Sequence, residues 1–163
     1  GKVVYHEAAG RRDLASGAPM TTDTLFRIAS MTKPVTSVAI MMLVEEGRIS
    51  LSDPLVKYCP EFADTGVFVA GGGAIPFVTR RPAQPIRILD LLRHTAGLTY
   101  GFQERNPVDA AYRTAKIDDF DADFKMDGFI AKLASLPLLF DPGAHWNYSM
   151  ATDVLGAVVE RLE

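Results

Sequence analysis

Phe26-Arg27-Ile28-Ala29-Ser30-Met31-Thr32-Lys33-Pro34 joins a mostly apolar stretch to a run in which Val35, Val38, Ala39, Met42 and Leu43 recur at helical spacing. Residues three apart on a helix are neighbours, so this spacing predicts that the amine of Lys33 reaches the hydroxyl of Ser30. A serine attacks a carbonyl only with a base within hydrogen-bond reach, and a lysine whose own proton is displaced can supply one; the pattern points to acyl transfer. Taken alone, Ser-x-x-Lys is better read as an N-capping serine followed by a solvated lysine, and it is the context that shifts the balance. The apolar stripe predicts a helix packed in a core, with Pro34 in its first turn and Gly47 at its C-terminal cap. Ser30 is thereby expected at a buried helix N-terminus, where the dipole favours an oxyanion and disfavours a protonated Lys33.

The chain of 163 residues is 48% hydrophobic and 23% charged, the composition of a globular domain. A formal net charge of -3 gives no basic footprint for nucleic acid. The most apolar run, around Val35 to Val44, is too short to span a membrane and is flanked by Lys33 and Glu45. The single cysteine, Cys59, excludes an internal disulfide framework and every multi-cysteine metal site, and reads as buried filler. No signal peptide is visible behind Gly1, and the compartment stays open between cytoplasm and periplasm, with the cytoplasm ahead.

Along the chain, Lys2 to Tyr5 predicts a strand, with Gly10 to Asp13 as its turn or return. Asp53 reads as a helix start. Gly66 to Pro85, with Gly71-Gly72-Gly73 and several prolines, is expected to be a long loop. The glycine triplet lacks the Lys-Ser/Thr ending of a phosphate loop. Ile86 to Leu92, with Asp90 inside, reads as a short strand or linker feeding a helix closed by Gly97. Helices are predicted from Pro107 through Ala115, from Gly128 to Leu136 with Phe129, Ile130, Leu133 and Leu136 on one face, and over the C-terminal stretch with Val154, Leu155, Val158, Val159 and Leu162 inward. Asp118, Asp119, Asp121, Asp123 and Asp127 lack the glycine and terminal glutamate of a calcium loop and read as a solvated acidic turn.

Tyr148 follows the Asp141-Pro142-Gly143 turn and precedes a helix, a position from which a side chain can be aimed into a cleft. A phenol of ordinary pKa about 10 needs a positive neighbour to act as a base, and Lys33 is the natural one.

Phe26 to Pro34, Asp90-Leu91-Leu92-Arg93-His94-Thr95-Ala96-Gly97-Leu98, Asp141-Pro142-Gly143 and Tyr148-Ser149-Met150 occur in this order and together resemble the serine beta-lactamase-like superfamily: class C beta-lactamases, DD-peptidases and family VIII carboxylesterases. The resemblance implies an α/β (α+β) fold, a mixed antiparallel sheet domain beside a helical one. Residues 1–47 would begin the sheet domain and residues 48–163 form the helical domain. It also implies Ser30 as acylated nucleophile, Lys33 as its partner in proton transfer and Tyr148 as general base and later acid, with no metal or organic cofactor. His94 would be a hydrogen-bonding residue at a helix end, and Trp146 and Met150 would line the cleft.

Two departures from the family pattern matter. Met150 stands where lactamases usually carry asparagine, which resembles the esterase branch. The third family element, a Lys-Thr-Gly or His-x-Gly strand, is absent. The chain is therefore expected to be an N-terminal portion of a longer hydrolase, inactive alone, and either to adopt a fragment fold or to have a partner chain supply the remaining sheet strands. The leading expectation is a serine esterase acting on a small-molecule ester. The alternatives are a beta-lactamase or D-alanyl-D-alanine peptidase, and a non-catalytic binding relative of the same fold. No Gly-x-Ser-x-Gly surrounds any serine, which argues against an α/β-hydrolase esterase.

Overall fold

A computed structural model describes residues 1–117 and 125–163, and places the first helix, α1, at Thr32–Glu45. The helix ends as its sequence predicts: Gly47 takes φ +71°, where a side chain would be strained, and its N–H bonds the Val44 carbonyl at 3.0 Å. The expected core stripe is not observed. Ile40 and Leu43 are buried, whereas Val35, Val38 and Met42 are 65%, 59% and 54% exposed, because no described element of the second unit covers that side. The acidic run at Asp118, Asp119, Asp121 and Asp123 lies outside the described residues.

The chain forms two compact units, Gly1–Thr32 and Lys33–Glu163. In the first, the chain reverses through Asp13 to Gly17. An isolated antiparallel bridge joins Arg11 to Pro19, and the Asp13 carboxylate accepts from Ser16 Oγ at 2.5 Å and Ala15 N at 3.0 Å. Lys2 to Tyr5 is not a strand. The β-branched residues favour extension, but a strand needs a partner ladder, and none engages this segment among the described residues. Leu25 and Phe26, apolar residues ahead of Ser30, are 97% and 67% exposed.

The second unit holds most of the regular structure. Gly66 to Pro85 is largely a hairpin and not a loop: β1 (Val67–Gly72) and β2 (Ile75–Arg80) pair antiparallel, Val67 opposite Arg80 and Gly72 opposite Ile75. Register shifts at Phe68/Ala70 and Ala70/Gly72 break the alternation that would have announced it. The triplet allows the tight return, with φ of +90°, +112° and +65° at Gly71, Gly72 and Gly73. A parallel bridge ties Val67 to Leu138, with Phe68 N donating to Leu138 O at 2.8 Å.

Among the described residues four further α-helices follow: α2 (Ile88–Leu92), α3 (Pro107–Thr114), α4 (Met126–Ala134) and α5 (Ala151–Leu162). Asp53 caps a turn instead of an α-helix, accepting from Ser50 N at 3.0 Å ahead of the 3-10 turn Leu55–Lys57. Helix α3 starts at Pro107 as read; the structure adds its cap, Asn106 accepting from Asp109 N at 2.9 Å. In α5, Val154, Leu155 and Val158 are fully buried, each worth roughly 1.5–3 kcal/mol. This face packs on α2 and α4, whose Ile88, Leu91, Ile130 and Leu133 are equally inaccessible. Cys59 is buried in the same core. Among the described residues no helix is long and apolar enough to cross a membrane.

Candidate active site

Two segments of the second unit run side by side and build the site. The first follows α2, which is formed by Ile88–Leu92, the stretch expected as a strand or linker, and closes ahead of His94 and not at the expected Gly97. His94 takes φ +56°, a left-handed conformation unusual outside glycine. Gly97 is left-handed for another reason: Leu139 N donates to its carbonyl at 2.7 Å, and a Cβ there would stand 2.5 Å from the Phe140 oxygen. The second segment is the turn at Asp141 to Ala144 with the residues after it. It is fastened to the first by Gly143 N to Thr95 O (2.7 Å), Asn147 N to His94 O (2.9 Å) and Asn147 Nδ2 to Leu98 O (2.9 Å). Gln103 Nε2 donates to the Tyr148 carbonyl at 2.6 Å, so the backbone of Tyr148 is held as well as its ring.

This fastening packs the Tyr148 ring between those of His94 (4.9 Å between centroids) and Tyr100 (5.5 Å). Lys33 reaches into the group from the first turn of α1. Its Nζ donates to the Tyr100 hydroxyl at 3.1 Å, hydrogen-bonds Tyr148, and lies 4.8 Å from the Tyr148 centroid and 5.6 Å from that of Tyr100. The structure thus brings together Lys33 and Tyr148, two of the three residues singled out in the sequence. The third, Ser30, belongs to the first unit. It is exposed and occupies the 3-10 turn Ala29–Met31, directly after Ala29 at φ +47°. A non-glycine residue in that region costs on the order of 1–2 kcal/mol, a local strain placed one residue before the serine.

Lys33 does not have the displaced proton expected from its sequence position. Burial opposes its charge, but the hydrogen bonds to Tyr148 and Tyr100 outweigh that penalty and hold its pKa above the ordinary lysine value. At neutral pH it is an ammonium with two phenol oxygens as acceptors. The two phenols differ in setting: Tyr100 is 7% exposed, and burial raises its pKa against the opposing pull of Lys33, which keeps it neutral. His94 is lowered by burial and, secondarily, by the charge of Lys33. A neutral imidazole there shares a 3.3 Å hydrogen bond with Ser149 Oγ.

Of the two residues expected to line a cleft, Trp146 is 67% exposed and stacks at 6.5 Å on Tyr148, whereas Met150 is 5% exposed and belongs to the core at the start of α5. Sequence reading missed Tyr100 and its neighbour Phe102, whose rings stack at 4.8 Å. The available signal was a Tyr-Gly-Phe cluster two residues beyond the His94 segment. Among the described residues, no group of three or more His, Cys, Asp or Glu side chains is placed to hold a metal ion.

The whole chain, residues 1–163, matches the family model described as Beta-lactamase. It is 44% identical over 163 residues to Protein Rv1367c of Mycobacterium tuberculosis, covering 99% of this chain and 39% of that protein. Esterase EstB of Burkholderia gladioli is 42% identical over 163 residues, covering 99% of this chain and 38% of the esterase. Among solved structures, that of EstCE1, described as a hydrolase with promiscuous acyltransferase activity, superposes with a TM-score of 0.79 at 34% identity, over 99% of this chain and 39% of that one. The chain thus spans about two fifths of the length of the proteins it matches. In each of them the matched segment is part of one continuous polypeptide, which gives no support to a separate partner chain carrying the remainder.

Proposed function

Because this chain belongs to the beta-lactamase family, with an esterase and a hydrolase of acyltransferase activity among the proteins similar to it, we propose that it acts as a serine hydrolase cleaving carboxylic esters through an acyl-enzyme on Ser30. The observation that carries the reading is the ammonium of Lys33 hydrogen-bonded to the phenol of Tyr148. A cation bonded to a phenol favours the phenolate, which is the base a serine nucleophile requires.

In the first half-reaction the Tyr148 oxygen takes the proton of Ser30 as Oγ forms its bond to the ester carbonyl carbon. The bond from that carbon to the leaving oxygen then breaks, and the phenol returns the proton to the departing alcohol. Water repeats the sequence on the acyl-enzyme, giving its proton to Tyr148 and releasing the acid, while the regenerated serine recovers a proton. Lys33 stays charged throughout and holds the phenolate. Tyr100, buried and neutral, fixes the amine without competing as a base. The backbone N–H of Ser30 would serve as one oxyanion donor. Met150 is buried in the core, so the position two after Tyr148 offers no asparagine amide of the kind lactamases usually carry, which favours an ester over a beta-lactam.

A second reading keeps the acyl-enzyme and changes the acceptor: an alcohol in place of water would make the same site an acyltransferase, the activity that the description of EstCE1 names.

The test is intact-mass spectrometry of the full-length protein after exposure to a fluorophosphonate. A single adduct on the peptide containing Ser30, lost in Ser30→Ala, is expected. An unmodified Ser30 in folded protein defeats the reading in favour of a binding relative. Hydrolysis of a chromogenic cephalosporin at a rate matching a short-chain nitrophenyl ester would move the substrate to beta-lactams. Added alcohol that raises ester consumption and yields a new ester identifies the transferase.

A further inference from the structure

Beside Tyr148 lies an open cavity of about 350 Å³, lined by Phe102, Trp146, Gln103, Asn147 and Arg105 together with Tyr148 itself. Its two outer rings are the exposed members of stacked pairs, Phe102 on Tyr100 and Trp146 on Tyr148, so the aromatic wall is continuous with the two phenols that hold Lys33. Phe102 is 61% exposed, which for a large apolar ring inside a concave surface marks a place for an apolar ligand group.

Arg105 differs in its pairing from the arginines that build the fold. Arg80, Arg87 and Arg161 each bond a carboxylate, whereas Arg105 donates to two neutral amide oxygens, Asn147 Oδ1 at 2.6 Å and Gln103 Oε1, and pairs with no carboxylate among the described residues. The amides are themselves pinned, Asn147 by Leu98 O and Gln103 by Tyr148 O, so the guanidinium is held in a fixed frame. Asp109, nearby in sequence, is buried; it accepts from the backbone N–H of Arg105 at 2.8 Å and from Thr99 Oγ1 at 2.7 Å and forms no ion pair with the guanidinium. A planar cation with donors to spare, set in an aromatic cavity, is matched by a carboxylate carried on a flat apolar group.

The geometry points to Arg105 as a specificity-determining residue: the subsite formed by Phe102, Trp146 and Arg105 takes the arm of the substrate that bears a carboxylate on an apolar or aromatic body. This rests on the serine hydrolase reading for the existence of a substrate, but the subsite can be tested without turnover. The carboxylate can lie on the acyl or on the alcohol side of the ester.

Binding of 3-phenylpropionate and of its neutral isostere 3-phenylpropionamide is measured by calorimetry on full-length protein, wild type and Arg105→Met, with Arg105→Lys and a thermal melt as controls for folding. The wild type is expected to prefer the acid. That preference falls about tenfold in Arg105→Met, less in Arg105→Lys, and shrinks with added salt. Equal binding of acid and amide by the wild type, or an unchanged preference in a folded Arg105→Met, overturns the subsite. Hydrolysis of 4-acetoxybenzoate against its methyl ester, and of mono-4-nitrophenyl glutarate against 4-nitrophenyl butyrate, then assigns the carboxylate to the alcohol or the acyl arm. Preferential binding of the acid with no hydrolysis of any ester keeps the subsite and defeats the hydrolase reading. Hydrolysis with no preference for acid in either assay does the reverse.

Discussion

The Nζ of Lys33 lies 4.8 Å from the centre of the Tyr148 ring and hydrogen-bonds its phenol, although most of the second unit's sequence separates the two residues. A second phenol, Tyr100, accepts from the same amine at 3.1 Å. One cation thus serves two phenols of different exposure, and the consequence for chemistry is an asymmetry that substitution can read.

Tyr148→Phe in the full-length protein is expected to lower kcat for a nitrophenyl ester by about a hundredfold to ten-thousandfold, the range for losing a general base. Tyr100→Phe removes one acceptor from Lys33 but leaves the base, and its loss is expected to stay within about tenfold. Equal losses in the two variants, measured by steady-state kinetics, would show that the phenols are not functionally distinct.

Gly97 and Gly47 are both left-handed, yet substitution should separate them. At Gly97 a Cβ would meet the Phe140 oxygen at 2.5 Å and Leu138 Cβ at 3.0 Å, whereas at Gly47 nothing lies within 4 Å. Gly47→Ala is expected to cost about 1 kcal/mol, from backbone conformation alone. Gly97→Ala adds the steric clash and is expected to cost about 3 kcal/mol or more. Chemical denaturation of both variants checks the difference, which should appear in the midpoint and not in the slope.

His94 makes stability depend on pH with a definite sign. Its folded pKa is depressed, by burial first and by Lys33 second, so the folded state holds fewer protons than the unfolded chain. The contribution is complete above the unfolded histidine value of about 6.5 and is lost as pH falls through the lower folded value. His94→Asn, which tolerates the left-handed backbone, is expected to flatten the fall of the melting temperature between about pH 7 and pH 5. An unchanged slope would place the dependence elsewhere.

Cys59 is fully buried, and burial raises its thiol to about 11. Such a thiol is inert in the native state. Ellman's reagent is expected to leave it unmodified in buffer and to titrate it in full in denaturant. Rapid reaction under native conditions would show that the core around Cys59 opens readily.

What the sequence determined by itself follows from local physics. Helices α3, α4 and α5 were legible because a 3.6-residue apolar period is a property of neighbouring residues. The same holds for Gly47, whose conformation ends α1. The family was legible because four short segments recur in order, whatever their spatial arrangement.

Tertiary structure decided everything that depends on residues far apart in the chain. Hairpin β1–β2 reads as a loop because its bulges erase the two-residue alternation, and only pairing across the turn reveals it. The burial of α1 could not be read from its stripe, since an apolar face states what it needs covered and not what covers it. Likewise the charge on Lys33 is set by oxygens of Tyr100 and Tyr148 that sequence spacing cannot place beside it. Periodicity encodes which side of an element is apolar; the energies that fix a proton or a ligand depend on distances through space, and those exist only once the chain has folded.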